Sequence, residues 1–322
     1  MAAIPNGDKN GKRSSVMEGF LSELGMTDLV SGVQLETHSS NLEDIYSEIH
    51  EKEEYSKIRL ELDVRIRDYF SDFSIPDAPN IYDLVLLGLR SKDLVATFNW
   101  DPLLLQAYQR AARITKDLPE LAFLHGNVLI GSCEEHKIVG YLHRSCPKCD
   151  SPLTPSRLLY PVKEKNYNSD PVISEFWAKV GNFLKRAYLV TVFGYSAPKT
   201  DVEAISLLSE AWGDLEKRRL EDFEFIDLKN EDDLVRTWKK FVHTHHYTVC
   251  RDFFESSIAR SPRRTTEELF DRTMNCIFTD PELSFHPNIS WDEIKSSVDK
   301  LKTEEDRVYS KGGYITIPGK SA

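Results

Sequence analysis

Residues 95–104 read VATFNWDPLL, an apolar run that ends abruptly in polar side chains. The stretch 93–98 has the composition of a buried strand, and Pro102 is tolerated in the first turn of a following helix. Asn99 and Asp101 stand at the junction, with a tryptophan between them. Ligands bind at the carboxyl ends of strands in open α/β sheets. These two side chains therefore either cap the next helix or face a ligand.

Strand and helix signals alternate from residue 82 to 227. This pattern predicts an α/β fold, a Rossmann-like parallel sheet with helices on both faces. Further strands are expected at 121–124, 188–193 and 223–227, and helices at 102–113, 170–186 and 201–219. Strand signals then stop, and we predict an α/β domain at 1–230 and a helical C-terminal module at 231–322. In that module, Thr265 and Ser290 each stand three residues before a glutamate, the capping-box spacing that opens a helix.

Composition excludes some classes of protein. The chain has 322 residues and a formal net charge of −11, which argues against direct binding of nucleic acid. No apolar run reaches the roughly 18 residues that a membrane-spanning helix needs. The N-terminus, MAAIPNGDKNGKRSS, lacks the apolar core of a secretion signal. We expect a cytoplasmic protein with no membrane partner.

Two more polar motifs follow predicted strands. His125 and Gly126 in FLHGN come directly after one strand, and glycine allows a sharp turn there. Gly194 and Ser196 in FGYSAPKTD follow another, and Asp201 begins the next helix. Taken singly, a histidine in a turn is usually structural and a Gly-Tyr-Ser turn is ordinary. Only their order along the chain, taken together with the Asn99 and Asp101 motif, favours a functional interpretation.

Between these motifs lies CEEHKIVGYLHRSCPKC, with three of the five cysteines. Cys133, His136, Cys146 and Cys149 have the spacing of a tetrahedral zinc site, inserted at about residues 127–160. His143 is a rival fourth ligand, and a metal-free loop is the alternative. Four protein ligands leave no open position, so zinc here would be structural.

Together these motifs resemble the sirtuin superfamily, and more closely its bacterial sirtuin-like branch in antiphage defence, so that residues 1–230 are expected to be a sirtuin-like NAD-binding domain. The segment YDLVLLGLRSKDLVATFNWDPLLLQAY carries most of that closer resemblance, and the whole covers roughly 1–230. It implies NAD⁺ as substrate and catalytic roles for Asn99, Asp101 and His125. It also implies dinucleotide binding by Gly126 and by the loop that holds Gly194, Ser196 and Asp201.

Asp227 ends the strand FEFID, where an acid could bind the adenosine ribose. A helix cap before KNEDDL is the competing interpretation. The basic cluster of Arg260, Arg263 and Arg264 is expected to be either a solvated helix start or a contact surface.

The resemblance fails at the N-terminus. Sirtuins begin with a central strand and a glycine loop that cradles the pyrophosphate, whereas this chain contains no Gly-x-Gly anywhere. The first strand is therefore expected to be missing. Three explanations stay open: a truncated protein, a strand supplied by the C-terminal YITI or by a partner chain, or a catalytically silent member.

The leading hypothesis is an NAD⁺ glycohydrolase that releases nicotinamide and ADP-ribose as an antiphage effector. The alternatives are an NAD-dependent deacylase and a silent nucleotide-binding or scaffold subunit of a defence complex. By analogy with the resembling proteins, we expect a homo-oligomer or a defence-system partner.

Overall fold

The structure is a computed structural model, and it describes residues 52–159, 170–195 and 202–321 with a few isolated positions between 25 and 49. Its first parallel sheet pairs β1 (Leu94–Thr97) with β2 (Glu120–Phe123). Its second joins β6 (Leu189–Phe193), β7 (Asp222–Ile226) and β8 (Tyr247–Cys250), with β7 in the centre. All pairings in these two sheets are parallel, which confirms the predicted α/β class.

Two antiparallel sheets complete the strands. β3 (Ile130–Cys133) lies between β4 (Ile138–Tyr141) and β5 (Thr154–Pro155) and forms the small inserted lobe. β9 (Thr279–Pro281) pairs with β10 (Gly319–Ser321).

The α-helices alternate with the strands and then follow them. They are α1 (Ser56–Ser71), α2 (Ile81–Leu87), α3 (Leu103–Ala111), α4 (Pro171–Leu184), α5 (Val202–Trp212), α6 (Glu231–Trp238), α7 (Ser257–Arg260), α8 (Thr265–Phe270) and α9 (Trp291–Lys311). Short 3-10 turns occupy Glu53–Tyr55, Leu215–Lys217 and Phe253–Glu255, and a π turn occupies Asp271–Asn275. None of the described helices is long and apolar enough to cross a membrane.

Local side chains explain where several helices begin. Ser290 accepts a hydrogen bond from the backbone of Glu293, whose carboxylate accepts one from Ser290 in return, so the predicted capping box of α9 is confirmed. Asp170 caps α4 in front of Pro171. The capping box expected at Thr265 is wrong, because Thr265 is already the first residue of α8 and the preceding Arg264 makes no side-chain cap.

The expectation that strands stop after residue 230 is wrong, although Glu231–Trp238 and Ser257–Arg260 are helical as predicted. The helix ends at Trp238, and Tyr247 to Cys250 form β8, in register with Phe223 to Ile226 of β7. Its β-branched and aromatic residues suit the strand, and tertiary pairing decides the outcome over a short helical pattern. The sheet therefore extends beyond residue 230, where the boundary between the two domains stays a prediction.

The suggestion that YITI completes the sheet is also wrong. Residues 314–317 form no strand, and Tyr314 is 90% exposed. Thr316 is held at α9 instead, where its backbone N–H and its hydroxyl both donate to Glu304. The residues just after it pair with β9, away from both parallel sheets.

One hydrophobic cluster connects the two parallel sheets. It includes Ala122 of β2, Ile226 of β7 and Cys250 of β8, together with apolar residues of α2, α3, α4, α7 and α9. Helix α4 packs against both β1 and β2 and against α5. The two sheets thus share a core and share helices.

A buried ion cluster fixes α9 to the sheet connections, and it corrects the expectation of a solvated or contact surface at Arg263 and Arg264. Both arginines are 1% exposed, and their guanidinium groups donate to Glu305 of α9, which is 2% exposed. Arg263 also reaches Asp117, ahead of β2, at 2.6 Å. Of the predicted basic cluster, Arg260 alone is exposed.

Candidate functional site

Three of the predicted site residues lie just past the carboxyl ends of three parallel strands. Asn99 stands two residues after β1, His125 two residues after β2, and Gly194 directly after β6. The geometry therefore brings motifs far apart in sequence to the corresponding ends of both parallel sheets.

Phe98 connects these three strand ends. Its ring meets the ring of His125 edge-on with centroids 4.8 Å apart. On another side it stacks on Tyr195, with centroids 4.2 Å apart and planes 14° apart. Phe98 was not among the predicted site residues, although its place between a strand and Asn99 marked it as a residue at the strand end.

Asn99 is half-buried and does not cap the following helix. Its backbone N–H donates to the Thr97 hydroxyl at 3.0 Å, and its side-chain amide donates to the Tyr82 hydroxyl at 3.4 Å. Tyr82 lies on α2, so this contact fixes the Asn99 side chain from a different element. Burial, and then the nearby Asp101 charge, raise the pKa of the Tyr82 hydroxyl, which is therefore neutral at pH 7.

Asp101 makes the capping interaction instead. Its carboxylate accepts a hydrogen bond from the backbone N–H of Leu103, the first residue of α3, at 3.0 Å. The side chain is 8% exposed, and burial raises the pKa of this carboxyl to about 6 although the Leu103 bond opposes the shift. The helix-start interpretation thus describes the observed contact, and the catalytic role of Asp101 stays a prediction.

The turn after β2 is held against the turn after β1. Asn127, fully buried, donates its side-chain amide to the backbone oxygen of Asp101 at 2.6 Å. Val128 donates its backbone N–H to the oxygen of Trp100 at 2.9 Å. Asn127 was missed in the sequence, where only its place after a His-Gly pair marked it as a turn residue.

The backbone conformation and packing at residue 126 require glycine. Its φ is +80°, and a Cβ atom at this position would lie 2.2 Å from the backbone oxygen of Arg157. The backbone of His125 is also fixed, because its carbonyl oxygen accepts a hydrogen bond from the backbone N–H of Leu159 at 2.9 Å. The His-Gly turn is therefore a tightly packed, defined conformation, and His125 is 8% exposed.

The remaining predicted nucleotide-binding residues are less informative. Gly194 has a φ of +63°, and a Cβ atom at this position would have no atom of the described residues within 4 Å. Asp227 follows β7 and accepts the backbone N–H of Lys229 at 2.9 Å, whereas the cap of the next helix is Asn230. Ser196 and Asp201 lie outside the described residues, so their roles stay predictions.

The inserted lobe gathers Cys133, His136, Cys146 and Cys149, whose ligand atoms all lie within 4.8 Å of one another. The two sulfurs of Cys133 and Cys149 are 3.8 Å apart, and His136 Nδ1 lies 3.6 Å from each of Cys133 and Cys146. Tetrahedral bonds of about 2.3 Å to sulfur and 2.0–2.1 Å to nitrogen place ligand atoms about 3.5–3.8 Å apart. The four residues fit a zinc ion.

His143, the rival ligand, is exposed and lies outside this group. Lys137 and Asp150, each directly after the second ligand of a pair, adopt positive φ of 51° and 57°. Both ligand pairs thus end in the same left-handed turn. Hydrogen bonds involving Ser151 lower the pKa of Cys149 to about 6, which favours the thiolate that metals bind.

Comparisons with known proteins give structural neighbours only. No family model and no curated protein sequence matches the chain. The solved structures that it resembles are Sir2 homologues. A Sir2 homologue in complex with NAD has a TM-score of 0.39 and 13% identity, over 70% of this chain and 77% of the other. An ADP-ribose complex of a mutant Sir2 homologue has a TM-score of 0.36 and 14% identity, over 89% and 90%. At these values the likeness establishes neither family nor activity.

Proposed function

We propose that the protein is an NAD⁺ glycohydrolase, with its active site at the carboxyl ends of β1, β2 and β6. The observation that carries the proposal is the contact of His125 and Tyr195 with the ring of Phe98, the residue that directly precedes Asn99. A nucleotide-binding site at the carboxyl ends of parallel strands is what this class of sheet provides.

The reaction needs water to attack the ribose carbon that carries nicotinamide. The carbon–nitrogen bond breaks, neutral nicotinamide leaves, and the products are ADP-ribose and one proton. We assign His125 as the base that takes this proton, since imidazole titrates near neutral pH. The Asn99 amide, held by Tyr82, orients the water or a ribose hydroxyl. Aromatic rings at the site suit stacking against a flat, uncharged leaving group.

The Cys133, His136, Cys146 and Cys149 group would hold one structural zinc ion. Its role would be to fix the inserted lobe, whose apolar centre is small: Leu153 packs there with the buried cysteines. A closed set of four ligands supplies no catalytic position.

A silent nucleotide-binding or scaffold subunit is the second candidate. The absence of any Gly-x-Gly segment from the sequence favours it, because such segments commonly hold the pyrophosphate at a helix N-terminus. A deacylase has no specific feature in its favour among the described residues. A defence role, a cytoplasmic location and an oligomer or partner protein are the contexts we expect, with depletion of cellular NAD⁺ as the effect.

The test uses the purified chain and follows NAD⁺, nicotinamide and ADP-ribose by chromatography. We expect Asn99→Ala and His125→Ala each to abolish the loss of NAD⁺ without unfolding the protein. His143→Ala, an exposed histidine of the inserted lobe, is the matched control. If wild type binds NAD⁺ but forms no products, the scaffold candidate replaces the enzyme; if His125→Ala keeps the wild-type rate, His125 is not the base.

A further inference from the structure

A cavity of about 240 Å³ lies at the amino ends of β1 and β2. Its walls come from the segment before β1, from the segment before β2 and from α9. The lining residues that decide its chemistry are Arg90, Ser91, Lys92, Asp117, Lys302 and Glu305. The proposed NAD⁺ site is at the opposite, carboxyl ends of these strands, so the cavity is separate from it.

The wall before β1 contains Arg90, a buried arginine with unused hydrogen-bond donors. The residue is 3% exposed, and although its guanidinium carries five N–H donors, its one side-chain acceptor among the described residues is an oxygen of Glu267. Arg90 Nε is buried without an acceptor, and the second oxygen of Glu267 is buried without a donor. The ion pair is therefore single-armed and leaves the Nε edge of the guanidinium open. Nearly all buried polar groups in proteins have a partner, so an open one calls for a ligand or an ordered water.

Arg90 also lies within electrostatic reach of the α9 wall. Burial lowers the pKa of an arginine, but the charge of Glu267 and, beyond it, the charge of Glu305 outweigh burial, and the net pKa of Arg90 is raised. Glu305 belongs to α9 and lines the cavity. The guanidinium therefore keeps its charge at pH 7 and is close to both the sheet side and the α9 side of the cavity.

Two lysines add positive charge from two walls. Lys302 of α9 is half-buried, and its ammonium makes no salt bridge or hydrogen bond with any described residue. Lys92, in the segment before β1, donates to the Thr266 hydroxyl at 2.7 Å, and a carboxylate oxygen of Asp93 is 3.8 Å away. An ammonium has three donors, so both lysines retain donors for a further partner.

The carboxylates at the cavity wall are largely occupied. Asp117 accepts the backbone N–H of Ser91 at 2.8 Å and the guanidinium of buried Arg263 at 2.6 Å. Glu305 binds the guanidinium groups of two buried arginines, in the ion cluster that fixes α9. Asp306, at an exposed position, is the remaining acid of the described lining. Three cations with open donors thus face two carboxylates that are already satisfied and one that is exposed to water.

We propose that this cavity binds the phosphate group of a small molecule. The planar fork of Arg90 suits two oxygens of one oxyanion, and the two lysines act as point charges on the others. A phosphate dianion offers more oxygens and more charge than a carboxylate, so it matches cations that approach from two walls. The volume exceeds that of a single phosphate group, so a phosphate monoester fits as well as the free anion.

A ligand in this cavity would bridge two parts of the fold. Arg90 and Lys92 precede β1, whereas Lys302 is on α9, so a bound phosphate would connect the sheet to the C-terminal helix. A ligand that binds the folded state alone raises its stability. Phosphate should therefore stabilise the chain against unfolding, independently of any effect on NAD⁺.

The test measures binding of inorganic phosphate to the purified 322-residue chain at neutral pH and constant ionic strength. Calorimetry should give a dissociation constant of about 1 mM or lower, and the NMR signal of the Arg90 Nε–H, assigned by its loss in Arg90→Lys, should shift on binding. Acetate at matched ionic strength is the control anion and should bind at least about tenfold more weakly. Glycerol 3-phosphate distinguishes the two sources of phosphate: tighter binding than inorganic phosphate identifies a phosphorylated metabolite, and weaker binding identifies the free anion.

A variant pair locates the site. Lys302→Gln removes a charge from the cavity wall and should weaken phosphate binding at least about tenfold. Lys300→Gln, at an exposed position of α9 outside the lining, is the matched control and should leave the affinity unchanged, and circular dichroism checks that both variants fold.

The proposal is overturned if about 10 mM phosphate neither binds nor shifts the Arg90 signal, which would mean that water or another part of the chain satisfies this guanidinium. It is also overturned if acetate binds as tightly as phosphate. Phosphate binding by Lys302→Gln at the wild-type affinity overturns it as well, because the anion would then lie elsewhere, for example at the proposed NAD⁺ site. None of these results requires NAD⁺ hydrolysis.

Discussion

Replacing Asp101 by asparagine should stabilise the folded protein at neutral pH. Asp101 is 8% exposed, and burial raises the pKa of its carboxyl to about 6 from the ordinary value of 3.8. A shift of one pKa unit corresponds to about 1.4 kcal/mol, so keeping this carboxylate charged costs about 3 kcal/mol of folding free energy. Asparagine is neutral, and its side-chain oxygen can still accept the Leu103 N–H.

The raised pKa of Asp101 determines how the stability gain of Asp101→Asn changes with pH. The folded protein holds the Asp101 proton up to about pH 6, whereas the unfolded chain releases it near pH 4. Between these values the folded state binds more protons, so wild-type stability falls as pH rises through the window. The advantage of Asp101→Asn should therefore be near zero below about pH 4, grow between pH 4 and 6, and reach about 3 kcal/mol at pH 7.

Urea unfolding followed by tryptophan fluorescence at pH 4, 5, 6 and 7 measures this. Asp117→Asn is a control with the opposite sign. Burial raises the pKa of Asp117, but hydrogen bonds from Ser91 and the charge of Arg263 outweigh it and the net pKa is lowered. Its loss should therefore destabilise by a similar amount from pH 5 to pH 7, because the contribution of a lowered pKa is lost only as pH falls below about 4. A gain for Asp101→Asn that is equal at all four pH values, or absent at pH 7, refutes the reasoning.

Three further substitutions test the packing. Gly126→Ala should lower the free energy of unfolding by about 3 kcal/mol or more, because the added Cβ clashes with the backbone. Gly213→Ala also has a positive φ but no described atom near the added Cβ, and should lower the free energy of unfolding by about 1–2 kcal/mol. Urea unfolding midpoints compare the two variants, and equal losses would contradict the clash. Cys149→Ser should lose about one zinc ion per chain, measured by metal analysis, and several kcal/mol of stability, measured by thermal melting. Wild-type protein purified without zinc would refute the site. Glu305→Ala leaves two buried guanidinium groups without their carboxylate partner and should lower the free energy of unfolding, measured in urea, by about 3–5 kcal/mol. Asp306→Ala, at an exposed position of the same helix, should change it very little.

Within the first 230 residues, sequence patterns predicted the described parallel strands and the helices between them, because local and tertiary preferences agree there. The strand that precedes Asn99 and the helices over Leu103–Ala111 and Pro171–Leu184 occur where the apolar runs indicated. The zinc ligands could be selected by spacing alone, since a Cys-x-x-His and a Cys-x-x-Cys turn each present two ligands from one short loop.

The sequence failed where a distant contact decides the outcome. Tyr247 to Cys250 became a strand because β7 offers a register partner, which no local pattern encodes. Arg263 and Arg264 looked like surface charges, and only the approach of Glu305, about 40 residues away, allows them to be buried. Phe98 and Asn127 acquire their roles by contacts across the fold, with Tyr195 and the backbone of Asp101.

Asp101 is a buried carboxylate with little hydrogen-bond compensation among the described residues. Burial also raises the pKa of Glu224, but that carboxylate accepts hydrogen bonds from Ser257 and Thr191, and Glu305 neutralises two arginines. Asp101 keeps a raised pKa although it accepts the backbone N–H of Leu103. Groups that weaken the fold persist where function needs them, so the carboxyl end of β1 is where a ligand should act. An Asp101→Asn protein that gains stability and loses NAD⁺ turnover would support this reasoning, whereas one that gains stability and keeps turnover would show that the proposed reaction does not need the Asp101 carboxylate.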